Sequence, residues 1–212
     1  MIAALFVERG GCYSGLPHVD AWDITRDARR YYGPHSVVAH PPCQLWVNFA
    51  YVNFARWGGE HNRPGNDGGC FSAALDAVRT FGGVLEHPAH SRAWSTFQLP
   101  APDRNGGWTK TTWGPAWVCE VWQSAYGHKA RKRTWLYYCG HDAPIDLRWD
   151  HPEASHQIGF HDQRGKERNK PTISGKAASA TPIKFRDALI QLAESAGNPY
   201  RRLPIAEPVT KA

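Results

Sequence analysis

The stretch Val37-Val38-Ala39-His40-Pro41-Pro42-Cys43-Gln44 constrains this chain more than any other. Two β-branched residues and an alanine favour a buried strand. The prolines then end it, because proline has no N–H to give a central ladder. The pattern predicts a strand ending at residues 38–40, with Cys43 on the loop just past its carboxyl end. In open α/β sheets that edge is where ligands bind. Two fixed φ angles stiffen the loop, so the thiol is held in place. A cysteine met in isolation is ordinarily a small buried hydrophobe. Here the neighbours argue for chemistry.

Residues Ile2–Phe6 read as a first buried strand, followed by the turn Glu8-Arg9-Gly10-Gly11. Val19–Ile24 reads as a second strand ending in Asp23, with a short helix over residues 26–31. A strand, a glycine turn and a second strand ending in an acid open a nucleotide- or adenosine-binding α/β unit, in which the acid accepts the ribose hydroxyls. Phe71, Ala74, Leu75, Val78 and Phe81 recur at helical spacing, so residues 70–81 form a helix that Gly82-Gly83 stops. Gly83–Pro88 is a short strand cut off by proline, which places Glu86 at the same sheet edge as Cys43. Strands over Val118–Gln123 and Thr134–Tyr138 flank a loop that holds Lys129, Arg131, Lys132 and Arg133.

Between these elements the signals are weaker. Residues 46–69 show no clean period and are expected to be a substrate-facing loop. Residues 98–116 are irregular and rich in Gly, Pro and Trp. The expected organisation is a catalytic core over 1–138, a basic, His-rich and partly disordered segment over 139–180, a closing helix over 181–197 and a loose tail over 198–212. Thr181 is the expected N-cap of that helix, with Pro182 in its first turn, Phe185, Leu189 and Leu192 on its core face, and Gly197 as its stop.

A net charge of +6 favours an anionic partner, with nucleic acid first, and ten Trp suit stacking on bases as well as core packing. Five cysteines without a C-x-x-C pair indicate reduced thiols and a cytoplasmic setting. No Cys pair has the spacing that a zinc finger or ribbon needs, so no metal is expected. The nucleobase deaminase pattern needs a second Cys three residues after Pro-Cys, and position 46 is Trp. The apolar run Met1–Val7 is far too short for a membrane span, and no membrane partner is expected.

In order and character these features resemble the DNA cytosine-5 methyltransferases. Pro42-Cys43-Gln44 is similar to that family's Pro-Cys-Gln, Glu86-His87-Pro88 stands where it has Glu-Asn-Val, and Tyr126-Gly127 precedes an Arg131-x-Arg133 pattern. The resemblance covers roughly residues 3–138 and the last helix. It implies a Rossmann-like class I S-adenosylmethionine-dependent methyltransferase fold, an α/β architecture with a mostly parallel sheet flanked by helices. It implies that S-adenosylmethionine lies against Phe6, Glu8, Gly10, Gly11 and Pro41, with Asp23 on the ribose. Cys43 would attack the base, Glu86 would protonate it, and Arg131 with Arg133 would clamp it. Gln44, Trp46, Tyr126, His128, Lys129 and Lys132 would contact nucleic acid, most readily DNA.

The chain also departs from the family. Glu8 stands in the cofactor loop where the family has glycine, Ala4 replaces an acid, His87 replaces an Asn, and Ala130 stands nearest the expected Gln. The stretch from Tyr138 to Thr181 is too short for a separate target-recognition domain. A partner protein would then supply specificity, or the substrate is not sequence-addressed duplex; a trimmed enzyme of this kind suits a phage. Three alternatives stay open. The Cys43 and Glu86 chemistry suits a pyrimidine nucleotide, as in thymidylate synthases. His40-Pro41-Pro42-Cys43 also reads as a variant of the Asp-Pro-Pro-Tyr loop of amino-methyltransferases. Glu8 leaves room for an inactive, methyltransferase-like binding protein.

Overall fold

A computed structural model describes residues 1–158 and 170–197. The chain opens with β1 (Ile2–Leu5), β2 (Val19–Trp22) and β3 (Ser36–Ala39), then α1 (Asn48–Trp57) and α2 (Cys70–Phe81). It continues through β4 (Gly83–Pro88), α3 (Arg92–Thr96), β5 (Thr109–Lys110), β6 (Ala116–Trp122) and β7 (Arg133–Cys139). The last elements are β8 (Gln157–Ile158), β9 (Thr172–Ile173), α4 (Gly175–Ser179) and α5 (Ile183–Ala196). Seven strands make one mixed sheet in the order β2-β1-β3-β4-β7-β6-β5, and β8 with β9 makes a small separate pair. β2, β1, β3 and β4 run parallel, whereas β7 is antiparallel to both β4 and β6. The protein is thus α/β, with a mixed sheet flanked by helices.

Alternation along the strands divides the core in two. One face buries Leu5, Val37, Leu85 and Val118 with Phe71, Leu75 and Val78 of α2. The other buries Ala4, Val38, Val84 and Leu136 with Phe185, Leu189 and Leu192 of α5. Each such side chain contributes about 1.5–3 kcal/mol of transfer free energy when fully buried. Gly83 joins α2 to β4 at φ +125°, and a Cβ there would meet the Val37 carbonyl oxygen at 1.9 Å. No other residue lets β4 lie against β3 at this point.

The boundaries read from sequence hold for α2 and β4, and β1, β2, β6 and β7 shift by a residue or two. Residues 46–69 differ from expectation, because they carry α1 instead of an unbroken loop. Of its ten residues only Ala50 is buried, so no apolar stripe announces the helix. Short α3 lies in a stretch given no element. The N-cap of α5 is Pro182 rather than Thr181, and its carbonyl accepts from Phe185 and Arg186 N–H. Within 139–180 the described part holds β8, β9 and α4. Residues 159–169 and the tail from 198 lie outside the described residues.

Candidate functional site

The site lies at the edge where β1, β3, β4 and β6 end and β7 begins. His40 extends the β3 ladder by one bond, from its N–H to the Leu5 carbonyl at 3.0 Å. It follows Val38 by two residues, and Glu86 follows Val84 by two, so both point to the α5 face. His40 Nδ1 lies 3.1 Å from Glu86 Oε2. His40 Nε2 lies 2.9 Å from the hydroxyl of Tyr13, which the β1–β2 connection brings in. Gln123 Nε2 donates to Glu86 Oε1 at 3.2 Å and to Thr134 Oγ1 at 2.9 Å. Both oxygens of the Glu86 carboxylate are therefore held by donors or a histidine.

The electrostatics follow from this arrangement. Burial alone would raise Glu86, yet the His40 hydrogen bond and the His40 and Lys132 charges bring it down to about 2. Burial, reinforced by the Cys12 and Glu86 charges, holds the Tyr13 phenol protonated well above its ordinary range. His40 Nδ1 faces an ionised carboxylate and therefore carries a proton toward it, whichever way the Tyr13 hydroxyl meets Nε2. Burial also pushes the partly buried Cys43 thiol up, and the Glu86 charge adds to this while Lys132 opposes it. Lys132 itself is pulled below its usual range by burial, against the charges of Glu86 and Cys43. Its ammonium donates to the Ser179 and Ala180 carbonyls at 2.8 and 2.9 Å. Its backbone sits at φ +39°, a left-handed conformation costly for a side-chain-bearing residue.

The Cys43 loop crosses from one face of the sheet to the other. It leaves His40 on the α5 face and ends at Trp46, which is buried with Phe71 on the α2 face. Trp46 N–H donates to the Cys43 carbonyl at 2.9 Å, and its indole donates to Asp67 at 2.8 Å, so the turn is fastened at its far end. Pro41 is buried beneath it, and Gln44 is exposed.

Cys43, Glu86 and Lys132 thus share one neighbourhood. Arg133 does not join them. It lies on the α2 face and gives a bidentate bond to Glu120 at 2.7 and 2.9 Å, and the Trp135 indole donates to the same carboxylate at 2.8 Å. Arg131 lies over the Trp122 ring at 5.1 Å. Trp46, Tyr126 and His128 are buried, with 5%, 5% and 8% of their surface exposed. Tyr126 packs on Phe185 and accepts from Arg148 N–H, and His128 accepts from Ala130 N–H. Lys129 is exposed.

At the carboxyl end of β1, Phe6 turns the chain at φ +58° and Gly10 sits at φ +66° with open space around it. Gly11 N–H closes the turn on the Glu8 carbonyl at 2.9 Å. Glu8 points to Lys176 of α4, 2.7 Å away. Asp23 accepts from Thr25 N–H and hydroxyl, and these bonds lower its carboxyl below the usual range. Sequence reasoning missed Tyr13, Gln123 and Thr134, and it read His40 only as part of a variant Asp-Pro-Pro-Tyr loop. Of these, only His40 carried a signal, its place directly before the proline pair.

No family model matches the chain, and no curated protein or solved structure matches it.

Proposed function

We propose that the protein is an S-adenosylmethionine-dependent nucleic-acid methyltransferase that acts on carbon 5 of cytosine through Cys43. The observation that carries this reading is the meeting of a loop-borne thiol, a buried carboxylate and a lysine at one sheet edge. The sheet order is compatible with a class I methyltransferase fold. The strand order reverses between β1 and β3, and a crevice of that kind is where open α/β sheets commonly bind ligands, which supports a cofactor there. Phe6, the open space at Gly10, the turn that Gly11 closes on Glu8 and the ionised Asp23 suit an adenosine there, and Glu8 is paired with Lys176. When bound, S-adenosylmethionine would supply the electrophilic methyl group.

The chain's own groups do the rest. The Cys43 thiol holds its proton and the Glu86 carboxylate does not. As sulfur adds to carbon 6, its proton passes to the Glu86–His40 pair and then to ring nitrogen 3, so charge does not build on either partner. Lys132 stabilises the thiolate in passing. Carbon 5 takes the methyl group and then loses its proton to water; sulfur leaves, and the proton on nitrogen 3 returns to it through the Glu86–His40 pair. The test is a 5-fluorocytosine oligonucleotide with cofactor, read by mass spectrometry. Fluorine cannot leave as a cation, so a covalent Cys43 adduct should accumulate and disappear in Cys43→Ala. Methylated product without an adduct would move the target to an exocyclic amine; neither product nor adduct would end the enzyme reading.

A further inference from the structure

Helix α1 is the part of the molecule that its own fold explains least. It begins five residues after Cys43 and buries only Ala50. Tyr51 is 46% and Trp57 69% exposed. A ten-residue helix with so little tertiary burial is marginal in water by itself. Each of these rings carries a guanidinium: Arg56 lies over Trp57 at 4.9 Å, and Arg92 over Tyr51 at 4.5 Å. Neither α1 nor α3 contains an acidic residue. Arg92 also lines a cavity of about 320 Å³ walled by His90 and Trp135, just beyond the carboxyl end of β4.

We propose that α1 and this cavity form a binding track for single-stranded DNA, with bases stacked on Tyr51 and Trp57 and one base entering the cavity that His90, Arg92 and Trp135 line. This rests on the proposed reaction and names the substrate class of the same site. The chemistry favours an unpaired strand because paired bases are already stacked and offer no ring face to a protein side chain, whereas an aromatic and cationic surface takes bases and phosphates together. A protein or lipid partner would not call for an arginine on each ring. The track also lies beside the Cys43 loop, since Arg92 N–H donates to the Trp46 carbonyl at 2.9 Å.

The experiment is fluorescence anisotropy of the full chain with a labelled cytosine-containing 12-mer, as single-stranded DNA, as the same sequence in duplex, and as RNA. Single-stranded DNA should bind at least about tenfold tighter than duplex, with affinity falling as salt rises. Tyr51→Ala and Trp57→Ala should each weaken it about 5- to 150-fold. Both positions are exposed, and Trp57→Phe should restore most of the loss, which separates stacking from misfolding. Equal or tighter binding of duplex or RNA, or unchanged binding in both alanine variants, would overturn the track. Binding needs no methyl transfer, so the two proposals fail separately. Single-strand binding without methylation upholds the track and sinks the enzyme reading. Methylation of duplex without single-strand preference does the reverse.

Discussion

His40 and His87 each stand directly before a proline at the same sheet edge, yet they have opposite fates. His40 points to the α5 face, its side chain is 14% exposed, and both ring nitrogens have partners. His87 points to the α2 face and is 0% exposed, with no partner for its ring beyond the nearby Pro42 backbone. It sits between Phe71 and Trp94, with ring centroids at 5.1 and 6.4 Å. Burial brings it down to about 4, with the Glu86 charge opposing. Strand alternation assigns the faces, and what covers each face decides the chemistry. On one side Tyr13, Gln123 and Thr134 satisfy polar atoms; on the other the rings of α2 and α3 surround an imidazole that stays neutral because a charge there would be unsolvated.

The largest effect should come from the polar face. Glu86→Gln keeps the shape but cannot take up and return a proton, and turnover should fall by about 10²–10⁴-fold. His87→Leu should leave turnover of the folded protein close to normal. A comparable loss in both variants, measured as initial rate of adduct formation, would erase the distinction between the two faces.

Next in size is the dependence of stability on acid. His87 titrates near 6.5 when unfolded and at about 4 when folded. Between these values the unfolded chain binds more protons, so stability is whole above pH 6.5 and is lost as pH falls toward 4, by about 3 kcal/mol. Glu86 is lowered from 4.5 to about 2, so its contribution is whole above pH 4.5 and is lost as pH falls toward 2. His87→Leu should flatten the upper window, whereas Glu86→Gln should remove the lower one and, by taking away the charge that raises His87, deepen the upper. Urea midpoints at pH 7, 5 and 4 check the first; an unchanged slope in His87→Leu would mean that the imidazole is already solvated.

A smaller loss is expected at Glu120, whose side chain is 3% exposed and bound by Arg133 and Trp135. Arg133→Ala should destabilise by about 1.5–3 kcal/mol, the range for a hydrogen bond to a charged group. The midpoint of urea unfolding reads this. A hundredfold fall in turnover of the folded variant would return Arg133 to the chemistry that the methyltransferase resemblance implies.

Much of this frame was legible in local pattern. α2 showed itself by its 3.6-residue stripe and its glycine stop, and β3 and β4 by short apolar runs closed with proline, which also placed Cys43 and Glu86 at one edge. The rest depends on three-dimensional pairing. Tyr13 lies 27 residues from His40, and Gln123 lies 37 from Glu86, distances over which no spacing rule acts. The basic loop read as one patch, but the left-handed turn at Lys132, just before β7, parts its side chains: Lys132 reaches the Ser179 and Ala180 carbonyls and Arg133 reaches Glu120. Helix α1 was hidden for the opposite reason, since it has almost no buried face to imprint a period.

The finest distinction between the faces rests on one hydroxyl. Tyr13→Phe keeps the ring that packs on His40 at 5.4 Å and removes only the bond to Nε2. A neutral hydrogen bond contributes about 0.5–1.5 kcal/mol net, so stability should drop by that order. The more informative change is in the pH profile of turnover. With the phenol gone, the ionised Glu86 carboxylate still holds the proton on Nδ1, but Nε2 loses its partner and the ring its second anchor, so the Glu86–His40 pair is less firmly placed to pass a proton. Adduct formation should then slow and its pH dependence should move, while Cys43 is still the residue labelled. A variant with the parent's profile and midpoint would show that Tyr13 is packing alone, and the relay would begin at His40.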